Sequence, residues 1–219
     1  MTPANHDESD TPAPIAVLER IDSDAGASLD ALYGLLANGR RRRVLVYLRN
    51  RTDHSARFAD LLAHLASPET GGELPEESHR EAVATALYHT CLPKLREAGV
   101  VETHGESIEL RPTATLEWLL TWVDAVDGTL DDDQCSLDDW FAVLADGRRR
   151  HALSLLWAHN VLSLADLADE LAVRKYYAPL SDISEDDVLD VYLAFYHDHV
   201  PRLQEAGVVE YDEGSDAVA

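Results

Sequence analysis

The chain has 219 residues, 46% hydrophobic and 27% charged, a composition that can bury real cores and excludes global disorder. The net charge is −23, from 41 acidic and 18 basic residues, and only Lys94 and Lys175 among the basic ones are lysine. Excess carboxylate with scarce lysine fits a protein adapted to molar salt, where the Debye length falls to about 3 Å and self-repulsion is screened.

In chain order, residues 1–27 are acidic and proline-containing and read as a disordered segment. Ser28 is placed to cap a first helix with Leu29, Leu32, Leu35 and Leu36 at helical spacing. Asn38 ends it and caps a second, GRRRRVLVYLRNR, with Val44, Leu45 and Leu48 as core face. ARFADLLAHL is a third helix with Phe58, Leu61, Leu62 and Leu65 inward, and SPETGGELP is a loop by composition. A long fourth helix, EESHREAVATALYHTCLPKLREAG, stops at Gly99 as its C′ residue. VVETHGESIELR predicts a hairpin around a His104–Gly105 turn. TATLEWLLTWVDAV is an amphipathic helix (Leu116, Leu119, Leu120, Val123), followed by a polar linker.

The same order then recurs. LLANGRRRRVLVYL (35–48) matches VLADGRRRHALSLL (143–156) at eight of fourteen positions. YHTCLPKLREAGVVE (88–102) matches YHDHVPRLQEAGVVE (196–210) at ten of fifteen. Both pairs are offset by 108 residues, and FADLLAHL (58–65) matches LADLADEL (164–171) at 106. Three blocks in one order are a duplication. Asp146 is the counterpart of Asn38, Gly207 repeats Gly99, and Ser184 with Asp187 opens the repeated long helix with a capping-box-like start. The expected organisation is a disordered segment 1–27, domain 1 over 28–126 with an extra helix, a linker 127–135, domain 2 over 136–213 and a tail 214–219. The fold class is mainly α with small β-hairpins, an α+β arrangement of two tandem winged helix-turn-helix domains.

These blocks resemble the arsenical-repressor type of winged helix. LANGRRRRVLVYL is similar to that family's first block, with Arg41 and Arg149 at its usual arginine, and YHTCLPKLREAGVV is similar to its recognition helix. The YHxxLPKLxxAGVVE wording after an NGRRRR-like block resembles a haloarchaeal family of winged-helix proteins. The resemblance covers most of 29–112 and 137–213. It implies DNA binding, with a proline and many acids in the recognition helix as departures.

Pro93 and Pro201 lack an amide hydrogen, so the carbonyls of His89 and His197 should lose their helical partners and each helix should kink. The kink either returns Leu95 and Val100 to the core or re-aims residues 76–91 towards a partner. Four consecutive arginines wrap around a helix, so they cannot share one ligand. Arg41 should lie at the core edge and pair internally, while Arg40 and Arg43 face outward to surface carboxylates or to phosphate. Residues i and i+2 of a helix diverge, so neither His89 with Cys91 nor His197 with His199 makes a metal pair, and no metal or other cofactor is expected. Tyr88 and Tyr196 should be core residues with wet hydroxyls.

The chain carries no phosphate loop, HExxH or nucleophile elbow, and an enzyme is not expected. With its lone cysteines Cys91 and Cys135, no secretory start and no apolar stretch of spanning length, the expected location is the cytoplasm. The expected function is a DNA-binding transcriptional regulator led by domain 1. Its candidate contacts to double-stranded DNA are Arg40, Arg43, Thr85, His89, Thr90, Lys94 and Arg111. The alternative is a protein-interaction module without DNA binding. Domain 2, with an apolar patch of Tyr176, Tyr177, Tyr192 and Phe195, or the helix 113–126 would then hold a protein partner or a second copy. Charge separates the two readings: residues 29–124 carry fourteen acids and eleven bases, residues 125–219 twenty-one and six.

Overall fold

A computed structural model describes residues 28–67, 77–126 and 136–219. The expected acidic segment 1–27, nearly all of the loop 67–75 and the linker 127–135, with Cys135, lie outside the described residues. The protein is mainly helical and divides into two compact units, at residues 24–145 and from residue 146 onward, each with a small three-stranded antiparallel sheet.

In the first unit α1 (Leu29–Leu36) starts where Ser28 Oγ accepts from the Ala31 amide at 3.2 Å. It buries Leu32, Tyr33, Leu35 and Leu36. The next helix, α2 (Gly39–Arg49), is capped by Asn38, whose side chain accepts from the Arg41 amide, and it buries Val44, Leu45 and Leu48 completely. The corner between them is held by arginine. Arg41 is 8% exposed; its Nε donates to the Leu35 carbonyl and its Nη2 to the Gly34 carbonyl, both at 2.7 Å. Arg42 Nη1 donates to the Leu36 carbonyl at 2.6 Å. The last carbonyls of a helix have no partner within it. Here they accept from the following helix, so the internal pairing expected of Arg41 is with backbone rather than with a carboxylate.

Three elements follow: β1 (Ser55–Arg57), α3 (Phe58–Ala66) and α4 (Glu77–Ala86). The long helix then widens into a π turn, Leu87–Cys91, before resuming as α5 (Leu92–Glu97). In the wide turn the Leu92 amide donates to the Leu87 carbonyl, five residues back. The expected proline inside the long helix is present, with helical residues on both sides of it. Pro93 directly follows the π turn, and the wide turn, bonded five residues back, accommodates its missing amide. Phe195–His199 repeats the device before Pro201. Gly99, at φ +70°, ends α5 as expected, and Gly207, at φ +65°, ends its counterpart.

The expected hairpin is present as β2 (Val101–His104) and β3 (Ser107–Leu110), but its turn is Gly105–Glu106, with His104 paired to Ser107. A third strand completes it: β1 pairs with β3, so the sheet order is β1-β3-β2. Then α6 (Ala114–Val126) buries its predicted face of Leu116, Leu119, Leu120 and Val123. Next comes α7 (Leu137–Leu144), which the repeat places at the head of the second copy. By packing it belongs to the first unit, against α1. Phe141, 1% exposed, lies 6.1 Å from the ring of Tyr33 and 5.7 Å from that of Trp122. Tyr33 and Phe141 are themselves repeat counterparts, 108 residues apart. Asp138 of α7 pairs with Arg42.

The second unit has α8 (Gly147–His159), capped by Asp146, then β4 (Leu162–Ser163) and α9 (Leu164–Tyr176). After a 3-10 turn (Leu180–Asp182) come α10 (Glu185–Ala194), capped by Ser184, the π turn and α11 (Val200–Glu205). Strands β5 (Tyr211–Asp212) and β6 (Ala217–Val218) close the sheet in the order β4-β6-β5. Residues 214–219, expected as a tail, therefore supply the central strand, and Val218 is fully buried. Among the described residues no helix is long and apolar enough to cross a membrane.

Replacing Arg41 by alanine strips two carbonyls of their donors. It is expected to lower stability by about 2–3 kcal/mol in chemical denaturation, with lysine recovering less than half because an ammonium lacks the fork. A loss under about 0.5 kcal/mol would mean that water replaces the guanidinium there.

Candidate nucleic-acid interface

The outward side of the long helix in the first unit is polar. Thr85, His89, Thr90 and Lys94 are all exposed, and the π turn adds a residue to the helix between the first and the last of them. Arg40, at the start of α2, is exposed as well. The Cys91 thiol, 3% exposed, feels Arg40, Arg41 and Lys94. Burial raises its pKa and the three cations only offset part of this, so the group is a poor nucleophile. Arg40 and Lys94, 54 positions apart in sequence, thus flank one buried side chain.

Two of the seven candidate residues are otherwise engaged. Arg43 is half-buried and donates to the His64 carbonyl at 3.2 Å; burial, helped by Arg43, pushes the His64 imidazole below its usual range. Arg111 is clamped by Glu102 at 2.7 Å and Glu109 at 2.9 Å. The hydrogen bond to Glu102 raises the guanidinium and holds that carboxyl low. His104 stands 3.3 Å from the same Glu102, so the hairpin offers no surplus of positive charge. Sequence reasoning passed over His79 and Arg80, exposed in the first turns of α4, although they stand in plain view in ESHREA. It also placed Tyr88 in the core. Tyr88 is 63% exposed, its ring against Phe58 and His89.

In the second unit the same positions carry different chemistry. Thr85, Thr90 and Lys94 correspond to Leu193, Asp198 and Arg202, and Arg202 Nε donates to Asp198 at 2.9 Å. Arg148, the counterpart of Arg40, is paired with Asp146 at 2.8 Å. His197 is exposed, as His89 is, and His199 is 1% exposed, as Cys91 is nearly. The i and i+2 side chains thus diverge, and no group of three metal-ligating side chains occurs among the described residues. The expected apolar patch is not continuous: Phe195 is buried and Tyr192 half-buried, with Tyr177 exposed to 94%. Tyr196 is half-buried and its hydroxyl donates to Glu213 at 3.3 Å.

One family model, Domain of unknown function (DUF7344), matches residues 33–110 and again residues 141–219. No curated protein and no solved structure matches the chain.

His199 packs its ring on Phe195, 4.5 Å away, and its buried Nδ1 has no hydrogen-bond partner. Burial is the main reason its pKa is lowered, with Arg148 adding to it and Asp146 and Asp198 opposing. A histidine held neutral in the fold contributes stability that is complete above its unfolded pKa and is lost as pH falls below about 6.5. His151 and His64 act in the same direction. Denaturation midpoints are therefore expected to drop between pH 7 and pH 5.5, and His199→Leu should flatten part of that slope. A slope unchanged in the variant would remove His199 from the account.

Proposed function

The chain belongs to the DUF7344 family, carrying its domain twice in tandem, and we propose that it is a DNA-binding transcriptional regulator built from two winged helix-turn-helix domains, its DNA contact led by the first copy. The observation that carries this reading is the exposed side of the long helix in the first unit. Thr85, His89 and Thr90 can meet base edges there, while Arg40 and Lys94 reach phosphate. Of the corresponding positions in the second copy only His197 is kept; the others are apolar, acidic or paired with an acid, which would repel phosphate or leave it no donor. Arg43 and Arg111 are secondary contributors, since each would have to leave a present partner.

The test uses the intact protein, fluorescence anisotropy and DNA from upstream of its own gene in molar KCl. Arg40→Glu with Lys94→Glu is expected to weaken binding by at least about tenfold and to reduce the salt slope. Arg148→Glu with Arg202→Glu should stay within about twofold of wild type. Equal losses in the two double variants would contradict the assignment to the first copy.

A second reading, an adaptor that binds protein through the second copy, draws on exposure. Seven of the nine large exposed apolar side chains among the described residues fall in 146–219, including Tyr177, Leu180, Leu189 and Leu193. The amphipathic face of α6 is already buried within the first unit and leaves mainly Trp118 outward. No DNA binding by wild type, with pull-down of one partner lost on Leu189→Asp, would favour the adaptor.

The charge of −23 fits a cytoplasm of molar salt, as in a halophilic archaeon. Circular dichroism during dilution of KCl is expected to show loss of helix as carboxylate repulsion is unscreened. Full retention in dilute buffer would assign the acidity another purpose.

A further inference from the structure

The second unit holds a cleft of about 290 Å³ between α8, α9 and α10. Its floor is apolar, formed by Leu171, Val191, Ala194 and the ring of Phe195. Its rim is cationic: Arg148 and His151 come from α8, Arg174 and Lys175 from the end of α9, and one carboxylate, Asp190, faces them. This is an unexpected place for positive charge. Six bases stand against fifteen acids in residues 146–219, yet three of the six line this one cleft.

The cations are not all spent on neighbours. Arg148 pairs with Asp146, and Lys175 lies over the ring of Tyr176 at 4.6 Å within the field of Asp187. Arg174 makes no ion pair and no hydrogen bond among the described residues. Burial, with Arg174 adding to it, lowers the pKa of His151, which favours the neutral ring, with one nitrogen to donate and one to accept at the rim. Tyr177, in the left-handed region at φ 52°, closes the end of α9 and borders the same opening.

In sequence the first copy keeps a cation at Arg40, the counterpart of Arg148, and has Arg43 for His151, but does not repeat the rest of the rim. The counterparts of Arg174 and Lys175 at the 106-residue offset are Pro68 and Glu69, neither of them cationic, and that of Asp190 at the 108-residue offset is Ala82. The part of the rim on α9 and α10, Arg174, Lys175 and Asp190, is thus particular to the second copy.

We propose that this cleft binds a small organic anion, an apolar body of one or two rings seated on Phe195 and Val191 with its carboxylate or phosphate on the fork of Arg174. An apolar floor with a few convergent polar groups is the usual build of a small-molecule site, and a guanidinium matches both anions bidentately. The second copy is then a sensing domain, on the same chain as the first but with its own ligand. Phe195 opens the π turn, so a bound ring touches the residue at which the long helix changes pitch. The proposal stands independently of DNA binding by the first copy.

Titration calorimetry of the intact protein with 1-naphthoate, 1-naphthyl phosphate and 1-naphthylmethylamine tests it. One or both anions are expected to bind saturably at one site per chain, and the tighter of them identifies the headgroup. The amine, equal in shape and opposite in charge, should not bind. Arg174→Glu with Lys175→Glu, both at exposed positions, should weaken the anions by at least about tenfold with an unchanged circular dichroism spectrum. Ala194→Phe fills the floor while leaving every charge in place, and should also abolish binding. Equal binding of the amine, anion binding unaltered in the charge-reversed variant, or no binding of either anion would overturn the proposal.

Discussion

Three carbonyls at the end of α1, those of Gly34, Leu35 and Leu36, accept hydrogen bonds from two guanidinium groups of the next helix. Without those donors a helix end would sit in the core with unpaired acceptors, each costing about 1–3 kcal/mol. With them, α1 and α2 make a fixed corner. Arg42 then faces Asp138 and the ring of Phe141, which brings α7 against α1. The arginine run is therefore structural in its middle, at Arg41 and Arg42, and free to serve a ligand only at its exposed start, Arg40. Arg149, the counterpart of Arg41, is buried to the same degree, so the second copy keeps the same buried arginine.

The second recurring device is the π turn before each proline. A widened turn directly precedes Pro93 and Pro201 inside each long helix, where it accommodates the missing amide and inserts a residue. Side chains on either side of the turn are thereby brought into a different relation than an α-helical count implies. Tyr88 faces outward, Cys91 is buried within the field of Arg40 and Lys94, and in the other copy His199 is buried where Cys91 sits.

The two copies share these devices and differ in what they expose. In the first, the long helix presents hydroxyls, an imidazole and a lysine. In the second, Asp198 replaces a threonine and ties up Arg202, while three of the remaining cations gather over an apolar cleft. On the functions proposed above, duplication frees one copy from the constraints of the other, and the charge follows that division: the more balanced copy would meet a polyanion, the acidic one a single small anion at its cationic rim.

Much of this protein is determined by local chemistry and was legible in the residues alone. The caps Ser28, Asn38, Asp146 and Ser184, the stop glycines Gly99 and Gly207, and the buried faces of α2 and α6 depend on neighbours within a few positions. The duplication is itself a property of the string. What only the tertiary structure decided involves partners far apart in sequence. A strand as short as Ser55–Arg57 has no periodicity to detect, and exists because β3, about fifty residues on, offers an edge. Residues 217–218 become a central strand because β4 and β5 flank them. Arg111 is neutralised by Glu109 two residues before it and, across the hairpin, by Glu102, and Arg43 is engaged by a carbonyl of another helix, so two exposed-looking cations are already occupied. The cleft under Arg174 needs three helices at once. Hydrogen bonding and capping within one turn are written in adjacent residues; the closing of a sheet edge, the pairing of a charge and the shape of a cavity are fixed only when distant segments meet.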